Sequence, residues 1–421
     1  LQSGDGYNNG PSTREAVIAR LALFASRGNP AERFKICYHL QMSNTLPPLS
    51  LYIHLPWCIQ KCPYCDFNSH SLRKELPEKA YLQALLRDLD HDAPLVENRT
   101  IISIFFGGGT PSLFSPESIA EILHQVQKKL LVSPTAEITL EANPGTFEQQ
   151  KFAGFKHAGI NRLSIGVQSF QADKLTKLGR IHDADQAIKA VEIAKQVGFK
   201  NINVDLMYGL AEQSYEDALF DVTTACSLSP SHISWYQLTL EPNTLYAIKP
   251  PVLPDGELIW QMQTQGARIL ADAGFIQYEV SAYAKADNEC LHNLNYWEFG
   301  DYLGIGAGAH SKITVLDPFS VKRCWKYKHP RDYLAAEESF IAEQQIVVHK
   351  ELPFEFMLNA LRLKRSIPMD LFTTRTGLSF EMIKKPLKQA ETRGFLRWNQ
   401  QKIELTAHGW RFMNDLLHIF C

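Results

Sequence analysis

Cysteine, net charge and long apolar runs are all scarce in this chain, and each shortage removes a class of protein. Eight cysteines in 421 residues are too few for a disulfide scaffold. With 43 basic and 45 acidic residues the net charge is -2, so no global basic field marks nucleic acid as a partner, and none is expected. No stretch reaches the roughly 18 uncharged apolar residues of a membrane span. Internal repeats and low-complexity tracts are missing too, which argues against a repeat array. What remains is ordinary globular composition, 45% hydrophobic, 11% aromatic and 21% charged, with length for about two to three domains.

The few cysteines are unevenly placed. Cys58, Cys62 and Cys65 crowd together as C-x3-C-x2-C, whereas Cys37, Cys226, Cys290, Cys324 and Cys421 are scattered and read as small buried hydrophobes. That distribution points to a reducing compartment with one metal site, and a cytoplasmic location is expected. Residues 1–41 differ from the rest. "LQSGDGYNNGPSTRE" is polar and turn-rich, and "AVIARLALFAS" is broken by Arg20, making a poor secretory segment. The functional protein is expected to start near Met42, with residues 1–41 poorly ordered.

From residue 49 onward β-rich runs alternate with helical periods. The runs are 49–56, 101–108, 137–144, 162–169, 201–209 and 232–240, with helices predicted over 75–93, 115–130, 147–158, 183–197 and 214–227. Such alternation implies parallel strands joined by crossovers. Cys58, Gly107 to Thr110, Glu141, Gln168 and Asp205 fall at or just after strand C-termini. A barrel or partial barrel brings those ends to one mouth, whereas an open sheet spreads them along an edge. The fold class read from this is α/β, a partial (β/α)6 barrel. A helix at 256–273 and a strand-like run at 275–284 follow, then an irregular segment rich in glycine and aromatics at 286–328. The pattern after about residue 350 predicts a mainly helical, winged-helix-like domain used for packing or protein contact. The expected division is an extension at 1–41, the barrel at 47–285, a connecting segment at 286–345 and the C-terminal domain at 346–421.

Thiolates are soft ligands suited to zinc, copper(I) and iron–sulfur clusters. Three on one loop can hold a [4Fe–4S] cube with one iron left open, or a zinc ion that recruits His54, Asp66 or His70. His54 lies upstream on the strand and is the poorest of those three. The "GGGTPS" run at 107–112 lets the backbone approach a ligand closely and suits an anion-binding turn.

The triplet after a first strand, joined to "GGGTP" after a second, resembles the radical S-adenosylmethionine (SAM) superfamily. "YIHLPWCIQKCPYCDFNSH", "GGGTPSLF", "EANPG", "GVQSF", "LGRIH", "WYQLTLEPNT" and "HNLNYW" are similar, in that order, to the oxygen-independent coproporphyrinogen oxidase group and within it to a heme-chaperone branch. The likeness spans about residues 47–420. It implies a [4Fe–4S] cluster on Cys58, Cys62 and Cys65, with SAM on the open iron contacted by Tyr52, Gly108 and Glu141. Tyr64, Gly109, Thr110, Gln168, Arg180 and Asp205 match residues around a second SAM in the oxidase.

Two departures separate the chain from the oxidase. Phe67 stands where the oxidase has a further cysteine, and residues 1–41 do not resemble the oxidase segment that helps enclose substrate. The chaperone mark is H-N-x-x-Y-W, here His292, Asn293, Tyr296 and Trp297. His292 is the expected heme ligand, and His310 is expected to line the pocket. The resemblance thus implies a heme chaperone that binds a cluster, SAM and one heme. It would pass the heme to an acceptor hemoprotein, with a respiratory, membrane-associated enzyme as the candidate acceptor and a homodimer as the candidate assembly. The alternative is an oxygen-independent coproporphyrinogen III dehydrogenase.

Overall fold

The computed structural model describes residues 45–145 and 149–421. The expectation for residues 1–41 lies outside the described residues. The strands of the main sheet are β1 (Leu49–Leu55), β2 (Thr100–Gly108), β3 (Leu131–Ala142), β4 (Arg162–Gln168), β5 (Asn201–Tyr208), β6 (His232–Gln237), β7 (Ile276–Gln277), β8 (Ala282–Ala284), β9 (Asp301–Ile305), β10 (His310–Leu316), β11 (Phe319–Lys326) and β12 (Ile341–Ile346). They pair in the order β12-β11-β10-β9-β1-β2-β3-β4-β5-β6-β8-β7. Pairing is parallel from β9 through β6 and antiparallel at both flanks.

Side chains alternate along these strands, with opposite fates on the two faces. Leu49, Leu51, Ile53 and Leu55 of β1 belong to the main hydrophobic core. Alternate positions carry polar groups that bond to each other: Ser50 Oγ lies 2.7 Å from Ser103 Oγ, and Asn203 Nδ2 donates to Ser164 Oγ at 2.7 Å. The curved sheet thus has an apolar outer face covered by helices and a polar lumen.

The covering helices begin where the sequence signals them. They are α1 (Glu78–Asp92), α2 (Pro116–Lys129), α3 (Phe152–Ala158), α4 (Ala184–Gln196), α5 (Tyr215–Ser227) and α6 (Gly256–Asp272). Capping boxes at Asp183/Gln186 and Ser214/Asp217 open α4 and α5, each satisfying backbone N–H groups that the first turn leaves unpaired.

The segment read as irregular, 286–328, contains a short helix, α7 (Leu291–Trp297), and the strands β9, β10 and β11. Its glycines misled the reading. A Cβ at Gly304 within β9 would sit 2.1 Å from the His310 carbonyl oxygen, so glycine there permits close backbone approach within a strand. Buried ion pairs tie this addition to the barrel. Lys326 Nζ donates to Asp88 Oδ1 at 2.5 Å and Asp92 Oδ2 at 2.6 Å, joining β11 to α1. Asp301 accepts from Lys312 Nζ at 3.0 Å and Arg99 Nη2 at 2.9 Å.

The C-terminal part has its own core, including Phe356, Phe372, Ile383, Leu387 and Ile403. Helices Leu352–Ala360, Met369–Thr376 and Glu381–Thr392 pack with a small sheet of Ile367–Pro368, Lys402–Leu405 and Leu396–Trp398 in that spatial order. Among the described residues no helix is long and apolar enough to cross a membrane.

Candidate functional site

The strand C-termini meet around the cysteine loop. Beyond β1, Trp57–Cys58 pairs in parallel with His70–Ser71, so residues 58–71 form a closed excursion. Gly109 N donates to Leu55 O at 2.9 Å and Thr110 N to Trp57 O at 2.8 Å. The glycines before Thr110 make this possible. A Cβ at Gly109 would lie 2.5 Å from Trp57 O, and one at Gly108, whose φ is +115°, 2.5 Å from the His54 ring. The close approach that the glycines permit is therefore first to the chain's own loop.

All three cysteines are free, and each sulfur has a polar neighbour. Thr110 Oγ1 donates to Cys58 Sγ at 3.4 Å, Arg180 Nη1 donates to Cys62 Sγ at 3.7 Å, and Ser69 Oγ lies 3.5 Å from Cys65 Sγ. Burial pushes the Cys58 thiol up to about 11, opposed by the Thr110 hydroxyl, and burial raises Cys65 as well. Among the described residues no three His, Cys, Asp or Glu side chains close on a single-ion site. A cubane gives each thiolate its own iron and spreads the ligands more widely than one tetrahedral ion does. Three free thiols, each with a polar neighbour at sulfur, fit a cluster.

A hydrogen-bonded chain runs from these sulfurs around the mouth. Asn143 Nδ2 donates to Thr110 Oγ1 at 3.1 Å. Arg180 Nη2 donates to Asn143 Oδ1 and to Gly166 O, both at 2.6 Å. Gln168, with φ of +70° at the end of β4, accepts from the Tyr236 hydroxyl at 2.7 Å. Tyr64 stands beside Arg180 and Cys62, its hydroxyl pushed up mainly by burial. The motif "EANPG" pointed to Glu141 but not to Asn143, which the structure shows to be the link between two sulfur-facing groups. An amide two residues past a strand-end carboxylate was the available signal.

Glu141 Oε2 accepts from Gly108 N at 3.2 Å. Burial, then the Asp205 carboxylate, pushes Glu141 up to about 8. Burial raises Asp205 too, although Asn203 at 2.8 Å and Ser164 at 3.0 Å oppose this. Two carboxyls lining one mouth, one of them raised by the other's charge, favour a cationic ligand between them. Tyr52 adds a hydroxyl 3.0 Å from His54 Nδ1, and burial, then Glu141, raises it well above the ordinary phenol value. The mouth therefore gathers Tyr52, Tyr64, Gly108, Gly109, Thr110, Glu141, Gln168, Arg180 and Asp205 around the three cysteines.

His292 has a different post. It lies on α7 against β1 and β2, its ring centroid 6.3 Å from that of Tyr52, and is 1% exposed. Its Nδ1 is 3.1 Å from Ser103 Oγ and its Nε2 is 3.1 Å from the Tyr296 hydroxyl. Glu137 accepts the backbone N–H groups of Leu291 and His292 at 3.3 and 3.2 Å, and Asn295 Nδ2 donates to Ser50 Oγ at 2.9 Å. Burial, then the Arg162 charge, lowers His292 to about 3. This conformation engages both ring nitrogens and gives the ring no surface for a macrocycle. Heme ligation by His292 would require α7 to leave its seat. The ring of His310 packs 5.8 Å from Trp325 on β10 and β11.

Comparison with known proteins agrees with this geometry. Residues 52–222 match the model of the Radical SAM superfamily, and residues 347–412 match the HemN C-terminal domain. The chain is 50% identical over 379 residues to Heme chaperone HemW of Haemophilus influenzae, covering 89% of this chain and 98% of that protein. It is 48% identical over 375 residues to Heme chaperone HemW of Escherichia coli, covering 89% and 98%, and 32% identical over 380 residues to that of Bacillus subtilis, covering 88% and 98%. The solved structure of coproporphyrinogen III oxidase (HemN) from Escherichia coli superposes with a TM-score of 0.76 at 22% identity, covering 95% of this chain and 98% of that one, a likeness of fold. With both family models and relatives of full length in agreement, this chain belongs to the HemW heme-chaperone family of the radical SAM superfamily.

Proposed function

We propose that this protein is a heme chaperone that carries a [4Fe–4S] cluster and SAM, binds one heme and passes it to an acceptor hemoprotein. The observation that carries the reading is the near full-length likeness to proteins named Heme chaperone HemW. Cys58, Cys62 and Cys65 would hold the cluster. Thr110, Arg180 and Ser69 would tune the sulfurs by hydrogen bonding. When bound, the cluster supplies a one-electron donor and an open iron for SAM. Tyr52, Gly108 and Glu141 would orient SAM, with Glu141 and Asp205 facing its positive charge and Gly108 N–H fixing the Glu141 carboxylate. Tyr64, Gly109, Thr110, Gln168, Arg180 and Asp205 are the groups available to a second SAM. The barrel at 47–285 would be the cofactor unit, 286–345 its closure and 346–421 a partner-facing domain in the cytoplasm. The acceptor and a homodimeric state belong to the same proposal.

Coproporphyrinogen III dehydrogenase is the second reading. A tetracarboxylate substrate needs cations at the mouth. Arg180, the guanidinium there, is already committed to Asn143, Gly166 and Cys62, and Phe67 replaces the oxidase's extra cysteine. Anaerobic reconstitution with iron and sulfide tests the choice. Heme is added in one arm, and coproporphyrinogen III with SAM and a reductant in the other. Stoichiometric heme uptake without protoporphyrinogen formation is expected. Multiple-turnover decarboxylation would overturn the chaperone reading.

A further inference from the structure

The sealed position of His292 leaves a heme chaperone in need of an accessible imidazole. Next to the cysteine loop, the rings of His70 and His329 meet edge to face with centroids 5.2 Å apart. His70 is half-buried and His329 exposed. We propose that His70 is the axial ligand of the heme iron and that the macrocycle lies on the surface formed by the 67–70 turn and the 327–329 segment. This rests on the heme-chaperone reading above and supplies its missing site.

Orientation of the ring is the first argument. His70 Nε2 lies 3.3 Å from Asn68 Oδ1. The Asn68 amide can face only one way, because its Nδ2 donates to Ala307 O and Lys328 O, both at 2.9 Å. Oδ1 is thus an acceptor, and Nε2 carries the ring proton. A neutral imidazole in that tautomer keeps its lone pair on Nδ1, the arrangement in which one ring nitrogen is anchored and the other ligates. Pairing of Trp57–Cys58 with His70–Ser71 holds the backbone. Burial, then His329 and Lys61, lowers the ring's proton affinity, opposed by a hydrogen bond to the Lys328 carbonyl.

The second argument is the surface around it. Phe67 is 62% exposed and Tyr327 37% exposed, and Asn68 stitches their two segments together. Flat, apolar, solvent-facing rings beside an imidazole suit a macrocycle face. A cation is at hand for the propionates. Lys328 is exposed between Tyr327 and His329, while Lys61 Nζ is held by Phe67 O at 3.2 Å and Ser69 O at 3.1 Å and braces the turn. His329 Nδ1 accepts from Arg331 N at 3.1 Å, which assigns it to flanking His70 rather than ligating. Ser69, next to His70, touches the cluster ligand Cys65, so cluster and heme would share one loop.

The test is hemin titration of the reconstituted full chain, read by the Soret band and by electron paramagnetic resonance. His70→Ala is expected to weaken uptake at least about tenfold and to abolish the histidine-ligated spectrum, with free imidazole restoring it. His329→Ala and His292→Ala should keep the wild-type spectrum. Cluster absorbance and circular dichroism check folding, and Asn68→Ala, which frees the ring without removing it, serves if His70→Ala misfolds. That variant should broaden the ligand-field signature and weaken binding. Wild-type uptake with His70→Ala unaffected would overturn the site while leaving the chaperone reading intact. A wild type that takes up no hemin would overturn both. Zinc ion alone is titrated as a control, and His70-dependent zinc binding without hemin binding would also refute the proposal.

Discussion

Replacing Glu141 by glutamine should make the protein without SAM more stable at alkaline pH and worse at holding SAM. Burial and Asp205 move this carboxyl from an ordinary 4.5 to about 8. That rise corresponds to at most roughly 5 kcal/mol in favour of the protonated folded form. Water at the mouth screens it, so about 2 kcal/mol is the expected effect. The sign follows from proton binding. The folded state holds this proton more tightly than the unfolded chain, so the group's contribution is present below the unfolded value. It is then lost as pH rises toward about 8. Urea denaturation of wild type and Glu141→Gln, from about pH 5 to about pH 9, should therefore show curves that converge at the acid end. At the alkaline end the variant should be more stable by about 2 kcal/mol. SAM affinity of the reconstituted variant should fall about tenfold or more, since a hydrogen bond to a charged group is lost. Parallel stability curves, or undiminished SAM affinity, would refute the reasoning that this carboxyl is held for a cation.

Other perturbations follow from the same contacts. Lys326→Met leaves Asp88 and Asp92 buried without their ammonium and should cost about 3–5 kcal/mol in denaturant unfolding. Gly109→Ala drives a methyl into Trp57 O, so the cysteine loop should shift and the reconstituted protein should retain less cluster by absorbance. His292→Ala strands Ser103 and Tyr296 beneath the lumen and should cost about 1–3 kcal/mol in thermal or urea unfolding. If it instead abolished hemin uptake with stability intact, α7 would be a heme element.

How much of this was legible depended on range in sequence. β1 through β6 and helices α1, α2, α4, α5 and α6 follow local periodicity, capping residues and turn formers, and their bounds came within three residues of the expected ones except that β3 starts at Leu131 rather than 137. The cysteines and "GGGTP" announced their chemistry by residue type and spacing. β9 did not, since its glycines look like a loop until a parallel neighbour 252 positions away, Leu49 against Asp301, gives them a reason. His292 showed a residue type suited to iron and hid its surroundings. Asn143 and His70 carried only faint signals, an amide near a strand-end carboxylate and a histidine beside three thiols, and their partners alone gave them an orientation.

By itself, then, the sequence determined the alternation of strand and helix, the thiol triplet and the polar strand ends, because each depends on neighbours within a turn or a pleat. Tertiary structure alone decided which polar groups share the mouth, which histidine is sealed and which is presented. Burial and hydrogen-bond partners set the proton affinity of Glu141 and the tautomer of His70. Those partners arrive from Gly108, Asp205 and the 307–328 region only when distant strands are brought side by side.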